Sequence, residues 1–211
     1  MKKCLEELKI KLRGKMRGFV THDYWHAIRV CNLCEQIGRK EKADLDVLRA
    51  AALLHDIYAD KDYKNHITKS IRSSKKILKS VKFPQEKIDD VIHCIRFHET
   101  YHWFKKKVKL SKEAKILQDA DRLDALGTMG IARVFTFGGQ YRRPIYNPKD
   151  RRGIYYGFKK TKKSSITHFY EKLLRLKEGM NTKTGKNIAK GRHKFMESYL
   201  KRFFKEWEGK L

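Results

Sequence analysis

The most restrictive feature of this sequence is a segment that is apolar almost all round a helix and then ends in two adjacent metal-binding residue types. Residues 47 to 54 read VLRAAALL, and His55 and Asp56 follow directly. A helix that is apolar on most of its sides belongs in the centre of a bundle. A carboxylate at the end of such a helix needs a compensating partner, because desolvating an unpaired charge is costly. The segment therefore predicts a central helix with a polar site at its end.

The rest of the chain repeats the apolar spacing of three and four residues that amphipathic helices show. Thr21 or Asp23 can cap the first predicted helix, and Asp44 can cap the second. No segment shows a convincing strand alternation, so we expect an all-α, single-domain helical bundle. The predicted helices cover residues 22–40, 44–56, 66–80, 84–98, 111–127, 164–174 and from about 184 onward. The predicted organisation is one domain over 1–211, with a core motif at 22–127, a long basic loop at 138–162 and a C-terminal helical extension at 163–208 packed on the core.

The charge balance indicates negatively charged partners. The chain has 51 Lys and Arg against 24 Asp and Glu, a formal net charge of +27, and such a charge attracts polyanions. A solvated basic surface and a nucleic-acid patch explain it equally well. No apolar run approaches the roughly 18 residues of a membrane span, and the first residues lack the apolar segment of a signal peptide. We therefore expect a cytoplasmic protein without a membrane partner; these patterns do not specify an oligomeric state.

Two of the four cysteines, Cys31 and Cys34, form a CxxC pair. Such a pair can bind zinc or carry redox chemistry. Here it follows the helical apolar spacing of its segment, and the sequence has no second CxxC to complete a four-thiolate zinc site. We therefore interpret both residues as core cysteines.

Four residues in otherwise buried helices form a candidate metal-ligand set: His26, His55, Asp56 and Asp121. Neutral imidazoles and carboxylates together suit a divalent metal such as Mn, Fe, Co, Ni or Zn. Such a metal activates bound water and polarises a phosphoryl oxygen.

The order His, His-Asp, Asp resembles the HD-domain superfamily of metal-dependent phosphohydrolases. The sequence around these residues also resembles that family. The His-Asp pair lies within LLHDI, and Asp121 is the middle aspartate of DAD in DADRLDALG. The resemblance implies supporting roles for Asp119 and Asp124. Further segments, KILQDADRLDALGTMGIAR, GGQYRRPIY, THFYEKLLRL and GKNIAKGRHKFM, resemble the small stand-alone bacterial members of the YpgQ/YedJ type. This resemblance covers roughly residues 20 to 209.

The resemblance implies an enzyme, an HD-type hydrolase that acts on phosphoester or phosphoanhydride bonds. Its implied substrate is a nucleotide, a (deoxy)nucleoside triphosphate cleaved to monophosphate and pyrophosphate. The implied cofactor is one divalent metal ion, manganese or else Ni, Co, Fe or Mg. His26, His55, Asp56 and Asp121 would hold it.

Residues outside the four-ligand set are candidates for catalysis and for binding of the substrate phosphate. Asp60, one turn after Asp56 if the helix continues, is a candidate to orient or deprotonate the attacking water, or else an exposed aspartate. His98 is assigned to the catalytic site as a phosphate contact or as a support for the ligands. The candidates for substrate phosphate are Arg142, Arg143, His168 and Lys172, against the alternative of a solvated basic face.

Two alternatives of other functional classes remain. His66 and His98 fall between the HD pair and the last aspartate, where two-metal relatives carry further ligands, so a second metal or a di-iron oxygenase is possible. His66 can instead contact phosphate or cap a helix. The other alternative is a nucleic-acid-binding protein with a structural metal. The remaining histidines, His22, His93, His102 and His193, are interpreted as surface or core residues.

Overall fold

The computed structural model describes residues 1–16, 21–62, 64–101, 108–150 and 163–211, and all regular secondary structure in these ranges is helical. The α helices are α1 (Lys2–Lys15), α2 (Tyr24–Glu41), α3 (Leu45–Leu54), α4 (His66–Ser80), α5 (Ile88–Phe97), α6 (Lys112–Asp124), α7 (Gly127–Gln140), α8 (Ser165–Glu171) and α9 (Lys183–Trp207). Short 3-10 helices cover Gln85–Lys87 and Leu173–Gly179. Among the described helices, none is both long and apolar enough to cross a membrane.

The chain divides into two compact units. The first comprises Met1–Asp121 and Asn181–Gly185, and the second comprises Arg122–Met180 and Lys186–Leu211. In the first unit α3 packs against α1, α2 and α5, while α4 packs against α5. Seven of the ten residues of α3 are buried, including its three consecutive alanines. The predicted central helix is therefore confirmed.

Aspartates begin the two helices that lead to the candidate ligands. Asp23 accepts a hydrogen bond from the backbone N–H of His26 at 2.8 Å. Asp44 accepts from the N–H groups of Asp46 and Val47 at 2.9 and 3.1 Å. Each such N-cap stabilises its helix by about 1 kcal/mol. The cap at Asp23 also fixes the first turn of α2, where His26 lies.

Several elements differ from the prediction, most clearly α1, α3 and α7. Helix α1 was not expected; its buried residues Leu5, Leu8 and Leu12 recur at helical spacing and face α3. Helix α3 ends at Leu54, two residues before the predicted end. Helix α7 was not expected either, and it extends through Gln140, so the predicted loop at 138–162 begins at Tyr141. The end of that loop, residues 151–162, lies outside the described residues.

The second unit has its own core. Phe169 of α8 is fully buried, and its ring lies 6.1 Å from both Phe135 and Tyr199. Asp124 is buried at the end of α6 and forms an ion pair with Arg133 of α7 at 2.9 Å. Gly127 has a φ of +71°, which permits the sharp turn between α6 and α7. The predicted supporting role of Asp124 thus consists of joining these two helices.

Both cysteines of the CxxC pair lie in the core of the first unit. Cys31 and Cys34 are free thiols and are buried. Burial raises the pKa of Cys31 to about 11 and that of Cys34 well above its usual range. Neutral, enclosed thiols of this kind are unreactive, so the interpretation as core cysteines is confirmed.

Candidate metal centre

The first unit brings all four predicted metal ligands together. The Nε2 atoms of His26 and His55 are 3.3 Å apart. Asp56 Oδ2 lies 3.7 Å from His26 Nε2 and 3.6 Å from His55 Nε2. Asp121 Oδ1 lies 3.6 and 3.9 Å from the same two nitrogens. Two imidazole nitrogens and two carboxylate oxygens, contributed by α2, the end of α3 and α6, therefore face one point.

The ring of His55 is held in the orientation of a metal ligand. Its Nδ1 lies 2.8 Å from the carbonyl oxygen of Ala52, one turn back in α3, so Nδ1–H donates to that oxygen. The lone pair of a neutral ring is then on Nε2, which faces the other ligand atoms. Burial lowers the pKa of His55 to about 4, although the nearby Asp56 and Asp121 oppose this effect. His55 is therefore a neutral imidazole at physiological pH.

The two aspartates of the set are charged. Burial by itself would raise the pKa of Asp56, but His55 and a hydrogen bond from His98 outweigh it, so the pKa lies well below its usual range. For Asp121, burial is likewise outweighed by His55 and His26, and its pKa is lowered. Two negative charges in a buried site need compensation.

These donors fit a divalent metal ion. Bonds of about 2.0–2.2 Å keep four tetrahedral ligands roughly 3.3–3.6 Å apart, and the donor atoms of this chain lie 3.3 to 3.9 Å apart. The two carboxylates would balance the charge of the ion, and the mixed nitrogen and oxygen set suits Mn, Fe, Co, Ni or Zn. The arrangement of the described residues thus agrees with the predicted ligand set.

A second group of potential ligands lies beside the first and shares Asp56 with it. Asp56 Oδ1 is 3.1 Å from His98 Nε2 and 3.8 Å from His66 Nε2. Glu99 Oε2 lies 3.5 Å from His66 Nε2. His98 Nδ1–H donates to the carbonyl oxygen of Ile95 at 2.7 Å, as His55 does to Ala52. His98 therefore contacts a candidate ligand directly, and its role as a phosphate contact or as a support for the ligands stays a prediction.

Asp60 reaches the site in a way the sequence did not suggest. The helix does not continue beyond Leu54, so the condition for placing Asp60 one helical turn after Asp56 is not met. Asp60 instead lies 2.9 Å from Nδ1 of His22, and His22 Nε2 is 3.9 Å from Asp56 Oδ2. His22, predicted to be a surface or core residue, thus joins Asp60 to the candidate ligands. The sequence signal that could have identified His22 is its spacing, because His22 precedes His26 by four residues.

The predicted phosphate-binding residues all belong to the second unit. Arg143 is half-buried, and its guanidinium lies over the ring of Phe137 at 5.1 Å from the centroid. Burial and the nearby Lys172 and Arg143 lower the pKa of His168 to about 3, and the backbone N–H of Lys172 donates to the carbonyl oxygen of His168 at 3.1 Å. Arg142 is exposed and has a φ of +52°. The structure therefore groups Arg143, His168 and Lys172, and their role in phosphate binding stays a prediction.

Comparison with known proteins gives the chain its family. Residues 24–126 match the HD domain. Over 193 residues the chain is 37% identical to the YpgQ protein of Bacillus subtilis, covering 89% of this chain and 85% of YpgQ. The chain belongs to the HD-domain superfamily of metal-dependent hydrolases.

Solved structures agree with this assignment. A Lactobacillus plantarum protein superposes with a TM-score of 0.84 at 28% identity, covering 99% of both chains. Bacillus subtilis YpgQ in complex with ADP gives 0.76 at 32% identity, covering 97% of this chain and 95% of its own. An HD-superfamily hydrolase of Bacillus thuringiensis gives 0.73 at 32% identity, covering 97% and 96%. The predicted family, the all-α fold of the HD type and the classification as a hydrolase are confirmed.

Asp119 has partners that the sequence analysis did not identify. Its buried carboxylate accepts hydrogen bonds from Asn181 and Thr182, which directly precede α9. Nothing in the spacing of the DAD motif pointed to residues more than 60 positions away. Arg122, which directly follows Asp121, donates to the carbonyl oxygen of Gly179.

Proposed function

We propose that this HD-domain protein hydrolyses a phosphoanhydride bond of a nucleotide, with a (deoxy)nucleoside triphosphate as substrate and the monophosphate and pyrophosphate as products. The observation that carries the proposal is the convergence of His26, His55, Asp56 and Asp121. Two similarities support it: a relative with 32% identity is an HD-superfamily hydrolase, and YpgQ forms a complex with ADP.

In this proposal the four converging residues hold one divalent metal, with manganese as the first candidate. When bound, the ion would supply Lewis-acid activation of water and of a phosphoryl oxygen. His55 presents Nε2 because its Nδ1–H is held by Ala52. His98 donates to Oδ1 of Asp56, which leaves Oδ2 directed toward the two imidazoles.

Asp60 and His22 are the pair we assign to proton transfer. The Asp60 carboxylate accepts from Nδ1–H of His22 at 2.9 Å and thereby orients the ring. Nε2 of His22 then lies on the side of Asp56, where it can take a proton from the attacking water. An acid that orients a histidine is a common arrangement for general bases.

The negative charge of the triphosphate requires cations as well. Arg143 and Lys172 supply two cations in the second unit, next to the neutral ring of His168, and Arg142 adds an exposed cation. A guanidinium can bind two phosphate oxygens at once. We assign these four residues to substrate phosphate binding, so replacing Lys172 with Ala should raise KM more than it lowers kcat.

A panel of nucleoside triphosphates with Mn, Mg, Co and Ni tests the proposal. We expect the release of pyrophosphate with at least one metal, and its loss in Asp121→Ala. A matched control is Asp150→Ala, because Asp150 is also a carboxylate with hydrogen-bond donors, Ser164 and Thr167, but belongs to the second unit. The proposal is wrong if no nucleotide is cleaved, or if Asp121→Ala keeps full activity.

A di-iron centre is a second candidate, favoured by the ligand group of Asp56, His66 and His98, all of them buried. Metal analysis of the purified protein separates the two: two irons per chain without phosphohydrolysis would support an oxygenase. The nucleic-acid-binding alternative rests on the net charge of +27 alone.

A further inference from the structure

The buried carboxylate of Asp119 lies two residues before the ligand Asp121 on α6. It is completely inaccessible to solvent and accepts four hydrogen bonds. Oδ1 accepts from the backbone N–H and the side-chain amide of Asn181, at 2.7 and 2.9 Å. Oδ2 accepts from the backbone N–H and the hydroxyl of Thr182, at 2.8 and 2.7 Å. A carboxylate with four donors is fixed in position and direction.

The donors are themselves fixed by the start of α9. Thr182 is the residue before its first turn, and the Thr182 hydroxyl accepts from the backbone N–H of Gly185 at 2.9 Å. This is the N-cap hydrogen bond that threonine makes in many helices. The same hydroxyl donates its proton to Asp119 Oδ2. The positive end of the helix dipole also favours a carboxylate there.

Gly185 allows the carboxylate of Asp119 to lie close to the start of α9. A Cβ atom at this position would lie 2.5 Å from Asp119 Oδ2 and 2.9 Å from the Thr182 hydroxyl. Both distances are far shorter than a carbon–oxygen contact allows, and the atoms met are held by hydrogen bonds. Any other residue at position 185 would therefore push the carboxylate away from the helix start.

We propose that Asn181, Thr182 and Gly185 position the metal ligand Asp121 by anchoring Asp119. Side chains two residues apart project from nearly opposite sides of a helix. The hydrogen bonds to Asp119 therefore hold one side of this turn of α6. From the opposite side of the helix, Asp121 presents Oδ1 to His26 and His55. Rotation or sliding of α6 would move Asp121 away from both nitrogens. The inference rests on the proposed metal centre.

Replacing Thr182 with Val tests the role, because valine keeps the shape of threonine and removes both hydroxyl hydrogen bonds. Calorimetric titration of the metal-free protein with Mn²⁺ should show about tenfold weaker binding, within the 10–100-fold range typical of residues that support metal ligands. Thr182→Ser should restore binding, since it keeps the hydroxyl. Thr136→Val is the matched control, because the Thr136 hydroxyl only donates within α7, to the carbonyl oxygen of Ala132.

A purely structural role for Thr182 gives a different result. In that case Thr182→Val lowers the Tm, but Mn²⁺ affinity measured well below the Tm stays within twofold of the wild type, and the inference is overturned. Should the valine variant not fold, Asn181→Ala provides the same comparison, because it removes only the side-chain donors and keeps the backbone N–H that binds Asp119.

Hydrogen exchange of the metal-free protein separates this inference from the proposed function. Amides in the last turns of α6 should exchange faster in Thr182→Val than in the wild type and Thr182→Ser. Unchanged exchange overturns the anchoring role. If the wild type binds no divalent metal while exchange responds as expected, the metal centre fails and the anchoring of α6 by Asp119 stands.

Discussion

Mild acid should destabilise the second unit through one half-buried residue, His168. Burial and the nearby cations Lys172 and Arg143 lower the pKa of this histidine from an ordinary value of 6.5 to about 3. The folded protein thus keeps the ring neutral at pH values where the unfolded chain protonates it. His168→Gln keeps a polar side chain of similar length but removes the titration. Comparing the two proteins therefore isolates the contribution of this one ring.

The sign and size of this effect on the free energy of unfolding follow from proton linkage. Because the pKa is lowered in the folded state, the contribution of His168 is complete above pH 6.5 and is lost as the pH falls from 6.5 toward 3. Between pH 6.5 and pH 5 the loss is about 2 kcal/mol, at roughly 1.4 kcal/mol per pH unit. His168 is only half-buried, and screening by solvent reduces the expected value to about 1 kcal/mol.

Urea unfolding at pH 7.5 and at pH 5, with a chelator present in every sample, measures the effect. The wild type should lose about 1 kcal/mol more of its free energy of unfolding than His168→Gln does. Lys172→Gln should give an intermediate loss, because one of the two nearby cations is removed. The electrostatic reasoning is refuted if His168→Gln loses as much stability on acidification as the wild type.

Three other expectations concern a helix cap, the core and the proton-transfer pair. Asp44→Ala should reduce the free energy of unfolding in urea by about 1 kcal/mol, since Asp44 caps α3; no change would contradict the capping role. Phe169→Ala should cost about 4 kcal/mol in the same measurement, because the side chain is fully buried; a loss below 1 kcal/mol would show that the cavity collapses. Asp60→Asn should lower kcat at least tenfold with bound metal unchanged, and His22→Gln should do the same; unaffected turnover in either variant removes the pair from the mechanism.

Sequence patterns predicted the helices whose signals are local. Asp23 and Asp44 act as caps where their positions suggested, because an N-cap depends only on the next three residues. Helix α1 was missed because charged residues outnumber its apolar ones, and only the buried leucines reveal the packed face. Helix α7 was missed in part because FTFGG has two glycines, which are poor helix formers.

Within the candidate site, the convergence of His26, His55, Asp56 and Asp121 could be expected, because these residues stand out as polar groups in apolar helices. The pairing of Asp60 with His22 was not predictable, since it depends on how the turns after Leu54 fold back toward α2. The anchoring of Asp119 joins positions 119 and 182, a separation at which spacing carries no information. Such long-range contacts follow from tertiary packing and not from local propensity.

The number of metal ions depends on a single hydrogen bond between His98 and Asp56. His98 Nε2 and Asp56 Oδ1 are 3.1 Å apart, at hydrogen-bonding distance. His98 Nδ1–H is already donated to Ile95, so His98 can bind a second ion through Nε2 only by giving up its bond to Asp56. Loss of that bond would release the carboxylate whose other oxygen faces His26 and His55. We therefore expect calorimetric titration with Mn²⁺ to show one equivalent per chain, and two tight equivalents would show that Asp56 bridges two ions.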